Sequence, residues 1–285
     1  MNIIGLGRAG CNIADKFEKF PQYKTYKIDA DVKKNKNTHR INKQTTPEAY
    51  EEKFPTIKNT FLKDVKDEAL LVLSCGAISG SALKLLQQIK DKCKISVLYV
   101  KPDLCNLSQT QTLQNNLLFG VFQEYARSAV FERLYVVENP VIESTIGNIP
   151  IKTYYDSLNE AIVSSLHMIN VFENTTPVMS TFSSFVPTAR ISTFGMMEYK
   201  TGAEKLFFNL DTPREKRYYY ALPKTVIESD GSTMSSIKEH ITKNRTHDRQ
   251  KITYGVYETN YEEPYVYCLS NSSLIQKNEK NEKNA

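Results

Sequence analysis

The residues best suited to chemistry stand at the very start of the chain. Gly5, Gly7 and Gly10, with Arg8, Ala9, Cys11 and Asn12 set among and after them, close an apolar run and read MNIIGLGRAGCN. Glycines at that spacing let a strand turn sharply into a helix. They also let a bulky anion approach the backbone N–H groups at the helix N-terminus, where partial positive charge gathers. A phosphate-bearing ligand is the natural occupant. The same spacing is the dinucleotide fingerprint, and an acid, Asp29, follows at a fitting distance at the end of the next strand-like run, Tyr26 to Ile28. On these residues alone the first expectation is an NAD(P) site.

A second small-residue loop changes the balance. Gly76, Ala77, Ile78, Ser79, Gly80 and Ser81 lie between a continuous apolar run, Ala69 to Ser74, and a segment with Leu83, Leu86 and Ile89 on one helical face. The apolar run reads as a strand buried on both faces of a parallel sheet. A second strand-loop-helix phosphate cradle is more than one dinucleotide site requires.

The elements that must position these loops alternate. Ala9 to Phe20 has helical periodicity, Tyr23 to Ile28 reads as a strand, and a polar stretch from Asp31 to Thr46 reads as loop. Helices are expected from Pro47 to Lys53 and around Ile57 to Lys66. Then come a strand from Ile95 to Val100, ended by Pro102, a long helix from about Ser108 to Ser128 and a strand from Glu132 to Val137. The most regular helix runs from about Thr153 to Phe172, its stripe carried by Leu158, Ile162, Leu166, Ile169 and Phe172.

Beyond Pro177 the texture changes to short β-type runs with one helix around Ser232 to Asn244. The expected fold class is α/β: a doubly wound, mostly parallel, Rossmann-like sheet joined by a long central helix to a smaller α+β domain. The expected boundaries are 1–173 for the first domain with its central helix, 174–270 for the second, and 271–285 for a disordered tail that repeats KNEKNEKN.

The 285 residues carry a net charge of +5, but lysines and acids are interspersed, which argues against a nucleic-acid partner. Five cysteines, odd in number and without CxxC spacing, read as buried thiols of a reducing compartment. The chain opens directly on a strand and has no long apolar run, so neither a signal peptide nor a membrane partner is expected, and the location is cytoplasmic. His240, His247 and Asp248 are too sparse for a metal site, and no serine or cysteine sits in a nucleophile elbow. No metal ligand and no catalytic residue is assigned.

Together these features resemble the tubulin/FtsZ superfamily of filament-forming GTP-binding proteins. GLGRAGCN looks like the opening loop of FtsZ, and GAISGSA, Gly76 to Ala82, is similar to its GGGTG[ST]G signature. ISVLYVKP, Ile95 to Pro102, resembles the strand that follows the signature helix, and FVPTARI, Phe185 to Ile191, resembles a tubulin segment. Tyr155 with Asn159-Glu160-Ala161-Ile162 looks like the tubulin central helix, where an aromatic residue and an asparagine meet the guanine. Residues i and i+4 share a helix face, so Tyr155 can stack on a base while the Asn159 amide pairs with its edge.

By the same resemblance Asn139 is a guanine contact, and Asp29 and Asp31 match the loop after the second strand. The implied cofactor is GTP or GDP, with Mg2+ as an accompanying ion. The implied partner is a second copy of the chain, head to tail, or a filament-forming relative that it caps or regulates.

The departures concern catalysis. The signature loop has lost two glycines to Ala77 and Ile78, and Asn106 and Thr110 replace the ribose-contacting glutamate and arginine of FtsZ. In this family the loop after the central helix supplies an acid to the neighbouring subunit's nucleotide. Here no Asp or Glu lies between Glu173 and Glu198, and Thr181 and Ser184 stand where FtsZ has two aspartates. Losing a positioned general base costs roughly 10²- to 10⁴-fold in rate. Slow or absent hydrolysis is expected, unless Glu173 serves in another register.

Overall fold

Apolar runs bounded by glycine, proline or charge become the inner strands of a single sheet. In the computed structural model, which describes residues 1–277, the first half alternates β1 (Asn2–Leu6), α1 (Gly7–Phe17), β2 (Lys24–Asp29), β3 (Thr38–Arg40), α2 (Pro47–Glu52), β4 (Asp67–Ser74), α3 (Ala82–Ile89), β5 (Cys93–Lys101), α4 (Gln109–Arg127), β6 (Arg133–Glu138), α5 (Asn139–Ile146) and α6 (Tyr154–Glu173). The second half adds β7 (Met179–Ser180), β8 (Ile191–Met197), β9 (Glu204–Leu206), β10 (Glu215–Pro223), α7 (Lys224–Ser229), α8 (Thr233–Asn244), β11 (Lys251–Thr259) and β12 (Tyr265–Ser272).

The strands follow the order β3-β2-β1-β4-β5-β6-β8-β12-β10-β11-β7, with β9 beside β8. From β3 to β6 every pairing is parallel. The chain leaves β1 first toward β2 and then jumps across to β4, so a topological switch point opens between β1 and β4. β6 pairs with β8 through Leu134–Ile191 and Tyr135–Ser192, and the sheet therefore continues into the second half without a break. There β8, β12 and β10 are antiparallel neighbours.

Helices cover both faces, as a mostly parallel sheet requires. Tyr50 of α2, Leu85 of α3 and Phe119 of α4 pack on one face. Phe17 of α1, Ile142 of α5 and the α6 stripe pack on the other. That second cluster also takes in Tyr219, Tyr257 and Tyr267 from beyond α6, so the long helix is buried against both halves of the chain. A third cluster joins Tyr218, Tyr220 and Cys268 to Ile237 of α8.

Three expectations are corrected. Residues 57–66 form turns, not a helix. Gln88 of α3 accepts hydrogen bonds from Ile57 N and Lys58 N at 2.7 and 3.0 Å and donates to Pro55 O at 2.9 Å, so a distant side chain takes backbone groups that a helix would have paired internally. Only Cys11 and Cys268 are buried; Cys75 and Cys93 are half-buried and Cys105 is exposed.

Asn271 and Ser272, placed in the tail by composition, are buried at the end of β12. Gln276 is buried as well and exchanges backbone and amide hydrogen bonds with Gln123 of α4. Polar side chains can be ordered when each finds a partner, which mean hydropathy does not register. The rest of the expected tail, 278–285, lies outside the described residues.

Candidate functional site

Open parallel sheets hold ligands beyond the carboxyl ends of their strands, at the switch point. Here the loops after β1 and β4 flank that crevice. Gly7 begins α1 with φ of +72°, a backbone that costs other residues energy. A Cβ on Gly10 would lie 2.2 Å from Val72 O, and one on Gly5 would lie 2.4 Å from Gly10 O. Glycine is therefore what lets α1 sit directly against the backbones of β1 and β4.

The N-terminus of α1 opens on the crevice without an intramolecular anion. Leu6 at the N-cap gives no side-chain hydrogen bond, and the first turn contains no acid. The first N–H groups of such a helix suit a phosphate. Arg8 and Asn12 are exposed beside them and Ala9 is half-buried.

Cys11 points inward, its thiol 3.6 Å from Gly5 O and 3.7 Å from Ile28 O. Burial, reinforced by Asp29, pushes its pKa up to about 12, so it is a neutral packing group and no nucleophile. Asp29 ends β2 half-buried, its Oδ1 accepting from Ala30 N at 2.7 Å. Burial also raises its pKa, while Arg8 works in the opposite direction.

The second loop is a tight 3₁₀ turn over Ala77–Ser81. Its missing glycines are not missed, because none of Ala77, Ile78, Ser79 and Ser81 has a left-handed backbone. Ser79 and Ser81 are buried, and their hydroxyls donate to Gly76 O and Ile78 O at 2.6 and 2.7 Å. Gln114 of α4 adds Nε2 to Gly76 O at 2.6 Å and to Ser79 Oγ at 3.3 Å.

The side chains assigned to a ligand from sequence are thus engaged in holding the loop, which leaves its backbone to meet one. Gly80 is a glycine for a different reason: a Cβ there would lie 2.2 Å from Pro47 O at the start of α2. The two loops touch, since a Cβ on Gly7 would lie 2.7 Å from Ile78 Cγ2.

α6 starts at the same end of the sheet. Tyr155 is 66% exposed and Asn159, one turn on, is half-buried. Lys16 of α1 bonds Asp156 at 2.7 Å and Glu160 at 3.2 Å, which braces this face of α6 against α1. Tyr154 donates to Glu143 of α5 at 2.6 Å, and Asn139 is the first residue of α5. The structure therefore gathers Gly5 to Asn12, Asp29, Gly76 to Ser81, Asn139, Tyr155 and Asn159 at one end of the sheet.

Sequence reasoning missed Gln114 and the buried Lys101, which lies 3.4 Å from Glu138 and over the rings of Phe119 and Phe208. No periodicity distinguishes either. A concavity of about 1020 Å³ lined by Met1, Tyr23, Lys24, Asp64 and Glu68 lies at the other end, where β1, β2 and β4 begin, away from these loops.

The segment after α6 folds back on the sheet. Thr181 Oγ1 accepts from Tyr254 N at 3.0 Å, Arg217 donates to Ser183 O at 2.6 Å, and Lys251 Nζ donates to Ser184 O. Glu173, at the end of α6, accepts from the Tyr219 hydroxyl at 2.7 Å.

His240 stacks on Tyr220 inside the second half, and His247 faces Pro213 O at 3.2 Å. Among the described residues no three His, Cys, Asp or Glu are placed to hold a metal ion, and no helix is long and apolar enough to cross a membrane.

No family model matches the chain, and no curated protein does. Solved structures do. A GTPγS-form protofilament of TubZ from Bacillus thuringiensis serovar israelensis superposes with a TM-score of 0.71 at 15% identity, covering 96% of this chain and 88% of that one. An empty FtsZ dimer from M. jannaschii gives 0.68 at 13% identity, with 95% and 87% covered. The GDP-bound monomer of CetZ1 from Haloferax volcanii gives 0.67 at 16% identity, with 95% and 93% covered. At such identities the likeness is one of fold, and it extends the resemblance read from short motifs to nearly the whole chain.

Proposed function

We propose, from the fold it shares with TubZ, FtsZ and CetZ, that this chain is a cytoplasmic guanine-nucleotide-binding protein that assembles head to tail into filaments and hydrolyses GTP slowly or not at all. The observation that carries the reading is the convergence at one end of the sheet of two phosphate-suited loops, the exposed Tyr155 and the half-buried Asn159. An NAD(P) site would account for the first loop and Asp29 only. We take residues 1–173 as the nucleotide-binding unit and 174–270 as the second unit.

In this reading the N–H groups opening α1 and the backbone of Gly76–Ser81 receive the phosphates. Tyr155 stacks on the guanine, and Asn159 and Asn139 pair with its edge. Bound nucleotide supplies the negative charge that the uncapped start of α1 lacks. Mg2+, where it accompanies the nucleotide, would be held chiefly by phosphate oxygens and water, as is usual for this ion.

Assembly follows from the ends of α6. The nucleotide loops lie at its start and the acid-free loop follows its end, about 30 Å away for a helix of 20 residues. Stacking copies head to tail brings the two together, and such heterologous contacts propagate into open filaments. The loop that arrives carries no carboxylate between Glu173 and Glu198.

The decisive experiment is identification of the nucleotide released when freshly purified protein is denatured. GTP or GDP is expected; a nicotinamide nucleotide, or none, would overturn the assignment.

A further inference from the structure

Beneath the loop that follows α6 lies a cluster of cations that nothing in the nucleotide site uses. Phe185 is inserted between two guanidiniums, with Arg217 centred 3.2 Å and Arg133 4.1 Å from its ring centroid. Glu215, fully buried at 0% exposure, is the carboxylate among them, 3.6 Å from Arg217 Nε and 3.3 Å from Lys251 Nζ. Arg133 turns its own donors to Ser192 and Asn271 at 3.1 and 2.6 Å. Glu215 is the buried counter-charge within this cluster, and Glu173 lies beyond Tyr219 on its other side.

Two of those cations reach the loop itself. Arg217 and Lys251 donate to the carbonyls of Ser183 and Ser184, and both serines are exposed. The Lys251 side chain keeps 30% of its surface in solvent, while that of Arg217 keeps 8%. The solvent-facing surface here is therefore an ammonium group among serine and threonine hydroxyls. It can meet phosphate oxygens: a compact cation with three donors, one of them on Ser184 O, whose partner carboxylate, Glu215, is wholly buried beneath it.

We propose that Lys251 docks on the terminal phosphate of the nucleotide held by an adjoining copy of this chain, so that the interface delivers a cation where an acid would act on water. This rests on the head-to-tail assembly proposed above, and it names the side chain that would register the number of phosphates at the interface. A triphosphate extends toward the arriving Lys251, and a diphosphate does not. The contact then secures the interface and supplies no general base.

The test is sedimentation over a concentration series with GDP and with a non-hydrolysable GTP analogue, for the parent chain, Lys251→Gln and Lys251→Arg. The parent should show a lower assembly threshold with the analogue than with GDP. Lys251→Gln should raise the analogue threshold roughly tenfold and bring the two thresholds together, while Lys251→Arg keeps them apart. A purely structural role for Lys251 would raise both thresholds by the same factor and would overturn the proposal.

In the parent, the ratio of the two thresholds should also shrink as salt rises, because an exposed ammonium is screened; a ratio indifferent to salt overturns it without any variant. Absence of a threshold in the parent would remove the assembly reading and this one with it. A parent threshold with an unaltered ratio in Lys251→Gln removes this one alone.

Discussion

The Tyr219 hydroxyl donates to Glu173 Oε1 at 2.7 Å, and so the carboxylate that opens the acid-free loop is tied by one oxygen to the sheet of its own chain while the residue stays exposed. Burial first, and Glu173 second, hold the Tyr219 hydroxyl well above its ordinary pKa, which keeps it a neutral donor. Glu173→Gln should leave GTP turnover within about twofold of the parent, since the hydrogen bond from Tyr219 directs one of its oxygens back into its own chain. Tyr219→Phe should lower unfolding stability by about 1 kcal/mol for the lost hydrogen bond. A tenfold drop in turnover for Glu173→Gln, measured by phosphate release, would make Glu173 the missing acid.

The glycines of the two loops are not equivalent. Gly10→Ala drives a methyl to within 2.2 Å of Val72 O, a backbone atom that cannot yield cheaply, and should cost more than about 3 kcal/mol. Gly76 has extended φ of 169° and nothing within 4 Å of a Cβ, so Gly76→Ala should stay within about 0.5 kcal/mol of the parent. Urea melts of the two variants decide this, and equal midpoints would show that the packing of α1 on β4 is not as described.

Tyr155 is 66% exposed and carries little of the fold. Tyr155→Ala should leave the melting temperature unchanged while weakening guanine nucleotide binding by about 0.5–1.5 kcal/mol, the scale of an aromatic stack. Unchanged affinity by calorimetry would remove the base from this face of α6.

Stability should fall in mild acid through His167. Its ring stacks 3.6 Å from that of Phe20, and its Nδ1 lies 3.1 Å from the Tyr23 hydroxyl and 3.3 Å from Gln22 Nε2. Asn170 donates to the same hydroxyl at 3.0 Å, which leaves the tyrosine proton for Nδ1 and makes Nδ1 an acceptor.

Burial, with Lys19 adding, lowers the His167 pKa. The folded state thus favours the neutral ring, and its contribution is full above the unfolded value of about 6.5 and is lost as pH falls below it. His167→Leu should flatten the profile between about pH 7 and 5 relative to the parent; a parallel decline in both would place the acid sensitivity elsewhere.

Filaments formed with GTP should persist as long as those formed with a non-hydrolysable analogue. Light scattering over hours checks this, and selective disassembly with GTP would mean that a base reaches the nucleotide after all. The alternative role, capping a filament-forming relative, is excluded if the pure chain shows a critical concentration.

Most of the scaffold was legible because its signals are local. The apolar run at Ala69 to Ser74 and the stripe from Leu158 to Phe172 each contain their own periodicity, and glycines announced the turn into α1. What sequence did not show was tertiary. Gln88 unmade an expected helix from across the fold, and Gln114 holds the second loop by donating to Gly76 O and Ser79 Oγ. Asn271 and Gln276 were hidden inside a stretch whose composition is that of a tail. In each case an amide recognises a backbone or charged group distant in sequence, and residue type alone does not say which one.

The seam between β6 and β8 has a mechanical meaning. It is a ladder of two pairs, Leu134 to Ile191 and Tyr135 to Ser192, as short as the pairing of β7 at the sheet's edge but set inside the sheet, with the longer ladders of β5 and β12 on either side and Arg133 stitched across it to Ser192 and Asn271. In a plate under load, flexure concentrates along the line with fewest cross-ties. That crease runs beside α6, which is packed on both panels, so a change in curvature of the chain as a strut would be felt first along the helix that joins its two ends.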